Sequence, residues 1–211
     1  MEREEALDRI AEIQRVMERA TRYTLLPGGA AIVGGLMVLA GCALSWWMVR
    51  SLDFAAMLQL SVAGQAGFCL LWFVIGVAGI VLEAVLTARA ARREGLSTGG
   101  RSTRLALVSL SPSVLVAMLL TYTFLIPIEP RPEEVQYIVP VWMMLYGVGV
   151  CSVGQFSIRA PRLLGSAFIA AGALALLFFR DCGLVAAALS FGLLHVLFGL
   201  HVIAMRRRGA P

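Results

Sequence analysis

Three residues of this chain carry side chains that could hold or pass a proton inside an apolar environment: Glu83, His195 and His201. Glu83 is a carboxylate within a hydrophobic segment. Such a group costs on the order of 2–3 kcal/mol to insert and generally faces the interior of a helix bundle. On a helix it shares a face with Cys69, Trp72, Gly76, Gly79 and Thr87. His195 falls on a stripe with Ala188, Gly192 and Gly199, which turns it toward a neighbouring helix. His201, six residues on, is rotated by about 240° and points elsewhere. Depth gives a different pairing. Glu83 lies six residues before Arg89, and His201 lies five before Arg206, so the two are level. His195 is about 9 Å deeper at about 1.5 Å per residue. Depth therefore favours His201 as the partner of Glu83, whereas facing favours His195.

Other chemistry finds less to stand on. The two histidines lie on one helix and point apart, which opposes bis-histidine haem ligation; a His195 site with Met143 or Met144 is the remaining arrangement. Cys42, Cys69, Cys151 and Cys182 have no C-x-x-C and no metal-ligand spacing, so no metal or other cofactor is expected. A Cys69–Cys182 disulfide requires that their helices pack together in an oxidising compartment, and inert buried thiols are the simpler expectation. There is no phosphate loop, no G-x-S-x-G and no H-E-x-x-H. The chain is expected not to be an enzyme. Gln65, Gln155, Tyr122 and the threonines beside it are ordinary interhelical hydrogen-bonding groups.

The elements that must position these residues are transmembrane helices. The 211 residues are 59% hydrophobic and only 15% charged. Their apolar residues come in blocks of the length that crosses a bilayer core, about 20 residues. The expected fold is all-α, a bundle of six spans at about 28–49, 66–88, 105–126, 137–157, 163–179 and 184–205. Residues 27–208 form the transmembrane domain, and residues 1–26 form an amphipathic helix before it, with Ala6, Ile10, Ile13, Met17 and Ala20 on one stripe. The stretch 51–64 is apolar but too much for the second span. It reads as an interfacial or re-entrant helix with Asp53 as N-cap and a break near Gly64. Pro112 should kink the third span, with Ser109, Ser111 or Ser113 taking up freed backbone groups.

Six spans put both termini on one side. Fifteen of the eighteen arginines fall on that side and three on the other; the chain has no lysine. The positive-inside rule then makes both termini cytoplasmic. The net charge of +5 is thereby a topology signal, and no nucleic-acid partner is expected. The first 22 residues are densely charged, so no cleavable signal peptide is expected.

Small residues at Gly35, Gly76, Gly79, Gly192 and Gly199 mark expected helix–helix contacts. Gly28 to Ile32 with Gly35 is echoed by Gly165 to Ile169 with Gly172. A parallel internal repeat built as three stacked hairpins is one way to produce that echo.

The charged leader 15–24 running into Pro27-Gly28-Gly29, together with Phe191-Gly192-Leu193-Leu194-His195 and Phe198-Gly199, resembles a group of small, uncharacterised bacterial membrane proteins of about 200 residues. The resemblance covers the whole chain and implies bacterial origin and six spans; it carries over no activity. The expected function is a non-enzymatic scaffold, regulator or complex subunit of the bacterial inner membrane. It would be partnered by the bilayer, by a protein at the N-terminal helix, or by its own copies. The alternative is a proton- or ion-linked transporter or channel, or a small-solute one, that uses Glu83 and a membrane histidine.

Overall fold

A computed structural model describes Arg9 and residues 28–93, 101–125, 130–154 and 159–208. The amphipathic helix expected over residues 1–26 lies, apart from Arg9, outside the described residues. The fold is all-helical, and six helices are long and apolar enough to cross a membrane. They are α1 (Gly28–Val49), α2 (Val62–Arg93), α3 (Arg101–Leu125), α4 (Ile138–Gly154), α5 (Arg159–Phe178) and α6 (183–208). The chain is a multi-pass membrane protein. One end of the bundle carries the arginine-rich segments and is called here the basic end; the opposite one is the far end.

Two antiparallel helix pairs make the bundle, each closed by glycine. In the first, α1 meets α6. A Cβ at Gly28 would stand 2.6 Å from the carbonyl oxygen of Gly199, and one at Gly35 would stand 2.6 Å from that of Gly192. Only glycine permits this approach, in which the two backbones touch. In the second pair, α5 meets α4. A Cβ at Gly165 would lie 2.6 Å from the Gly147 carbonyl, and one at Gly172 would lie 3.0 Å from the Pro140 carbonyl. The flanking contacts repeat as well. Ile32 covers Gly199 as Ile169 covers Gly147, and Ile203 covers Gly28 as Cys151 covers Gly165. The sequence echo between α1 and α5 is thus an echo of one packing interface. The partners are not three sequential hairpins, because α1 closes on the last helix of the chain.

Each pair carries one further helix. Helix α2 rests on α1, where Trp72 Nε1 donates to the fully buried Ser45 Oγ at 3.0 Å. Helix α3 rests on α4, where Trp142 Nε1 donates to Thr121 Oγ1 at 2.7 Å. The result is two layers of three helices, α2–α1–α6 and α3–α4–α5. Ser111 Oγ in α3 donates to the Val108 carbonyl at 3.1 Å, the carbonyl whose helical partner Pro112 cannot supply.

The far end is closed by the stretch that follows α1. Helix α1 stops at Arg50, whose φ of 53° puts it in the left-handed region. Its N–H bonds to the Trp46 carbonyl at 2.7 Å, and its guanidinium lies over the Trp46 ring at 5.5 Å. Asp53 then caps a short 3-10 helix, Phe54–Gln59, by accepting from the Ala55 N–H at 2.9 Å. Phe54 to Met57 are buried, and Phe54 meets Phe68 edge to face at 5.1 Å. The turn is locked to other elements. Gln136 Nε2 donates to Asp53 Oδ2 at 2.7 Å, and the Leu184 N–H donates to the Leu52 carbonyl at 3.0 Å. A one-turn helix, Pro132–Val135, abuts it.

Several expected boundaries shift. Helix α2 begins at Val62 instead of residue 66, because the break falls at Leu60–Ser61 and not near Gly64. Ser61 caps the new helix, its Oγ accepting from the Gly64 N–H at 3.2 Å and its carbonyl from the Gln65 N–H at 2.8 Å. Helix α2 also runs on to Arg93, and its 32 residues extend about 48 Å, beyond a hydrocarbon core of about 30 Å. Two of the expected packing glycines meet nothing. A Cβ at Gly76 or Gly79 would find no atom within 4 Å. Helix α2 approaches α1 at Gly41, Trp72 and Ile75, nearer the far end, and its glycines lie beyond that contact.

Candidate functional site: a tyrosine–histidine pair between the two layers

Helix α6 changes register midway. It runs as α-helix over Gly183–Ala187, as π-helix over Ala188–Leu194 and as α-helix again over His195–Arg208. A π segment widens one turn by an extra residue, leaves backbone groups imperfectly paired, and recurs at functional positions. Ser190 stabilises the start of the turn by donating from Oγ to the Ala186 carbonyl at 2.6 Å. Gly192 and Gly199 keep their glycine stripe against α1. His195, at the exit of the wide turn, leaves that stripe and reaches the other layer.

There its Nε2 lies 2.8 Å from the Tyr146 hydroxyl of α4. The two rings are 5.4 Å apart. Phe168 of α5 meets the imidazole edge-on at 5.2 Å, and Phe191, one turn earlier on α6, stacks on it at 6.2 Å and 15°. Phe168 is fully buried. Tyr146 also packs against Phe168 at 4.8 Å and Phe191 at 5.4 Å, so four rings from three helices form one cluster. His195 Nδ1 is sealed from solvent and completes no hydrogen bond.

The three residues singled out in the sequence separate here. His195 sits at the centre of the layer interface. Glu83 is partly buried on α2. His201 is exposed on the outside of α6 and takes no part, although it matches Glu83 in depth. His195 thus takes Tyr146 as its hydrogen-bond partner.

Tyr146, Phe168 and Phe191 were not marked by the sequence reading. The available signal was a tyrosine in the interior of an apolar span, since a buried phenol needs a polar partner. The His195–Met arrangement is not formed. Nε2 is engaged by Tyr146, and Met144 packs toward Gly172 of α5. No cluster of three or more His, Cys, Asp or Glu that could hold a metal occurs among the described residues. All four cysteines are free thiols, so the Cys69–Cys182 disulfide is not present; Cys69 is exposed on α2.

Chemically, the cluster offers one neutral hydrogen bond in an aromatic setting and a second ring nitrogen that completes no hydrogen bond. It has no nucleophile, no oxyanion-stabilising pair and no phosphate cradle. Comparison with protein-family profiles, with curated proteins and with solved structures found no match to this chain.

Proposed function

We propose that the chain is a non-enzymatic membrane scaffold or subunit of a membrane complex, and that α2 is the helix through which it holds its partner. The observation that carries this reading is the isolation of α2. Apart from Phe68, which packs on Phe54 near its start, no residue of α2 whose burial is described is buried, and it rests on the rest of the protein through α1 and the 3-10 helix. Leu70, Phe73, Ile80 and Val81 are all more than half exposed, and Gly76 and Gly79 lie open. A helix that contributes so little to its own core has its surface available for another transmembrane helix, and small residues are what such contacts favour. The arginine distribution supports a plasma-membrane protein of bacterial type with both termini in the cytoplasm. The basic end and the charged leader support contact with anionic lipid or a cytoplasmic partner.

The test is co-purification from native membranes. A stoichiometric membrane protein should accompany the chain and be lost in Gly76→Leu and Gly79→Leu, whereas Leu163→Ala on exposed α5 should leave it bound. A chain that purifies alone under mild solubilisation, or a partner indifferent to all three changes, contradicts the reading.

A second reading is favoured by one specific observation, that the same apolar bundle holds a partly buried carboxylate, Glu83, and the buried Tyr146–His195 pair. In that reading the cluster serves proton- or ion-linked transport, as intramembrane ionisable groups do in pumps and transporters. Reconstituted Glu83→Gln protein with unaltered proton and ion flux would exclude it.

A further inference from the structure

We propose that the Tyr146–His195 hydrogen bond is a latch between the two helix layers, and that protonation of His195 releases it. Three features of the structure converge on this. Close backbone approach between the layers is concentrated at the far end, where the first turns of α6, Gly183–Ala187, touch α4 and α5 and are pinned by the 3-10 helix. Deeper in, a polar contact at 2.8 Å from Tyr146 to His195 ties the layers together. The second ring nitrogen has no partner.

The chemistry follows from those partners. In the neutral ring, one nitrogen carries a proton and the other accepts or donates at Tyr146. Adding a proton from the aqueous phase makes both nitrogens donors. Nδ1–H then lacks an acceptor of good geometry, and the ring charge lies among Phe168, Phe191 and Tyr146. A buried charge without a partner is strongly disfavoured. Among the described elements packed around the ring, α4 presents Tyr146, α5 presents Phe168 and α6 presents Phe191; none of them brings a carboxylate to the imidazole. Glu83 is the carboxylate of α2, the helix that rests on α1. The charged imidazole is thus drawn out of the aromatic cage, and the layers lose their mid-membrane tie while the far end stays joined. The π turn that His195 follows is the element that lets the ring move, because its widened register is less regularly paired than the α-helix on either side.

The experiment is double electron–electron resonance on the full chain in lipid nanodiscs. Spin labels are placed at Leu163→Cys and Leu200→Cys, exposed positions in opposite layers near the basic end, with the four native cysteines replaced. Going from about pH 7.5 to about pH 3, low enough to charge an imidazole whose burial opposes protonation, should lengthen the distance by more than the width of the neutral distribution. Tyr146→Phe should show the lengthened distribution already at neutral pH. His195→Gln should not respond to acid, whereas His201→Gln and Glu83→Gln should respond as the unsubstituted pair does. A distance indifferent to acid overturns the proposal. So does an acid response that survives His195→Gln, or one that disappears only with Glu83→Gln, which would place the proton on the carboxylate.

Discussion

Tyr146 and His195, 49 residues apart in sequence, meet at 2.8 Å and join two helix layers whose other close contacts are concentrated at one end. Each is the other's hydrogen-bond partner in a setting of aromatic carbon. Removing one side leaves a desolvated polar atom behind, and that asymmetry sets the expected effect. Tyr146→Phe should lower stability by about 1–3 kcal/mol, measured by thermal unfolding in a mild detergent. His201→Gln, on the exposed face of α6, should leave the midpoint unchanged. Equal effects of the two changes would remove the pair from the structural account.

The glycine crossings give a sharper contrast, because the same substitution is predicted to have opposite outcomes at sites of similar sequence character. Gly28→Ala, Gly147→Ala and Gly199→Ala each drive a methyl into backbone on the facing helix. Each should cost about 1–3 kcal/mol, the range for overpacking a closed interface. Gly76→Ala and Gly79→Ala meet open space and should be neutral to stabilising for the isolated chain, since alanine is the better helix former. The comparison is made by unfolding all five variants in one detergent.

How much of this could be read beforehand depends on whether the deciding contact was local. The six spans, the Asp53 cap and the role of the serines near Pro112 follow from hydropathy, capping chemistry and a missing N–H, all local properties. Gly35, Gly192 and Gly199 were recognisable as packing residues by spacing. The same spacing logic named Gly76 and Gly79, which meet no neighbouring helix among the described residues, because periodicity identifies a face without saying whether helix or lipid covers it. His195 could be assigned to a helix interface, but not to α4, since the π turn carries it off the glycine stripe. Tyr146 was invisible as its partner because no local pattern reports that α4 lies beside α6. The α1–α6 closure was equally hidden, while the α1–α5 echo it produces was visible.

The far-end lock predicts a measurable coupling. Asp53 Oδ2 accepts from Gln136 Nε2 at 2.7 Å, tying the 3-10 helix to the turn before α4. Asp53→Ala should cost more than Gln136→Ala, because it also removes the cap on Ala55. A double-mutant cycle should return a coupling of about 0.5–3 kcal/mol. A coupling near zero would mean that the two residues act independently.

The orientation proposed from the arginines is open to a direct check. A cysteine introduced at Gly99 should react with a membrane-impermeant maleimide only when the cytoplasmic face is exposed, and one at Glu133 only from the opposite face. Labelling of Glu133→Cys from the cytoplasmic side would invert the assigned topology.

The central claim is that α2 offers its exposed flank to another membrane protein. Photo-crosslinking reads this flank directly in native membranes, with a photoreactive residue placed in turn at Leu70, Phe73, Gly76 and Ile80, and at Leu177 on exposed α5 as the comparison. A discrete protein adduct of one mass should form from the α2 positions and not from Leu177. Lipid adducts alone at every α2 position, or the same protein adducts from α2 and α5, would contradict the claim.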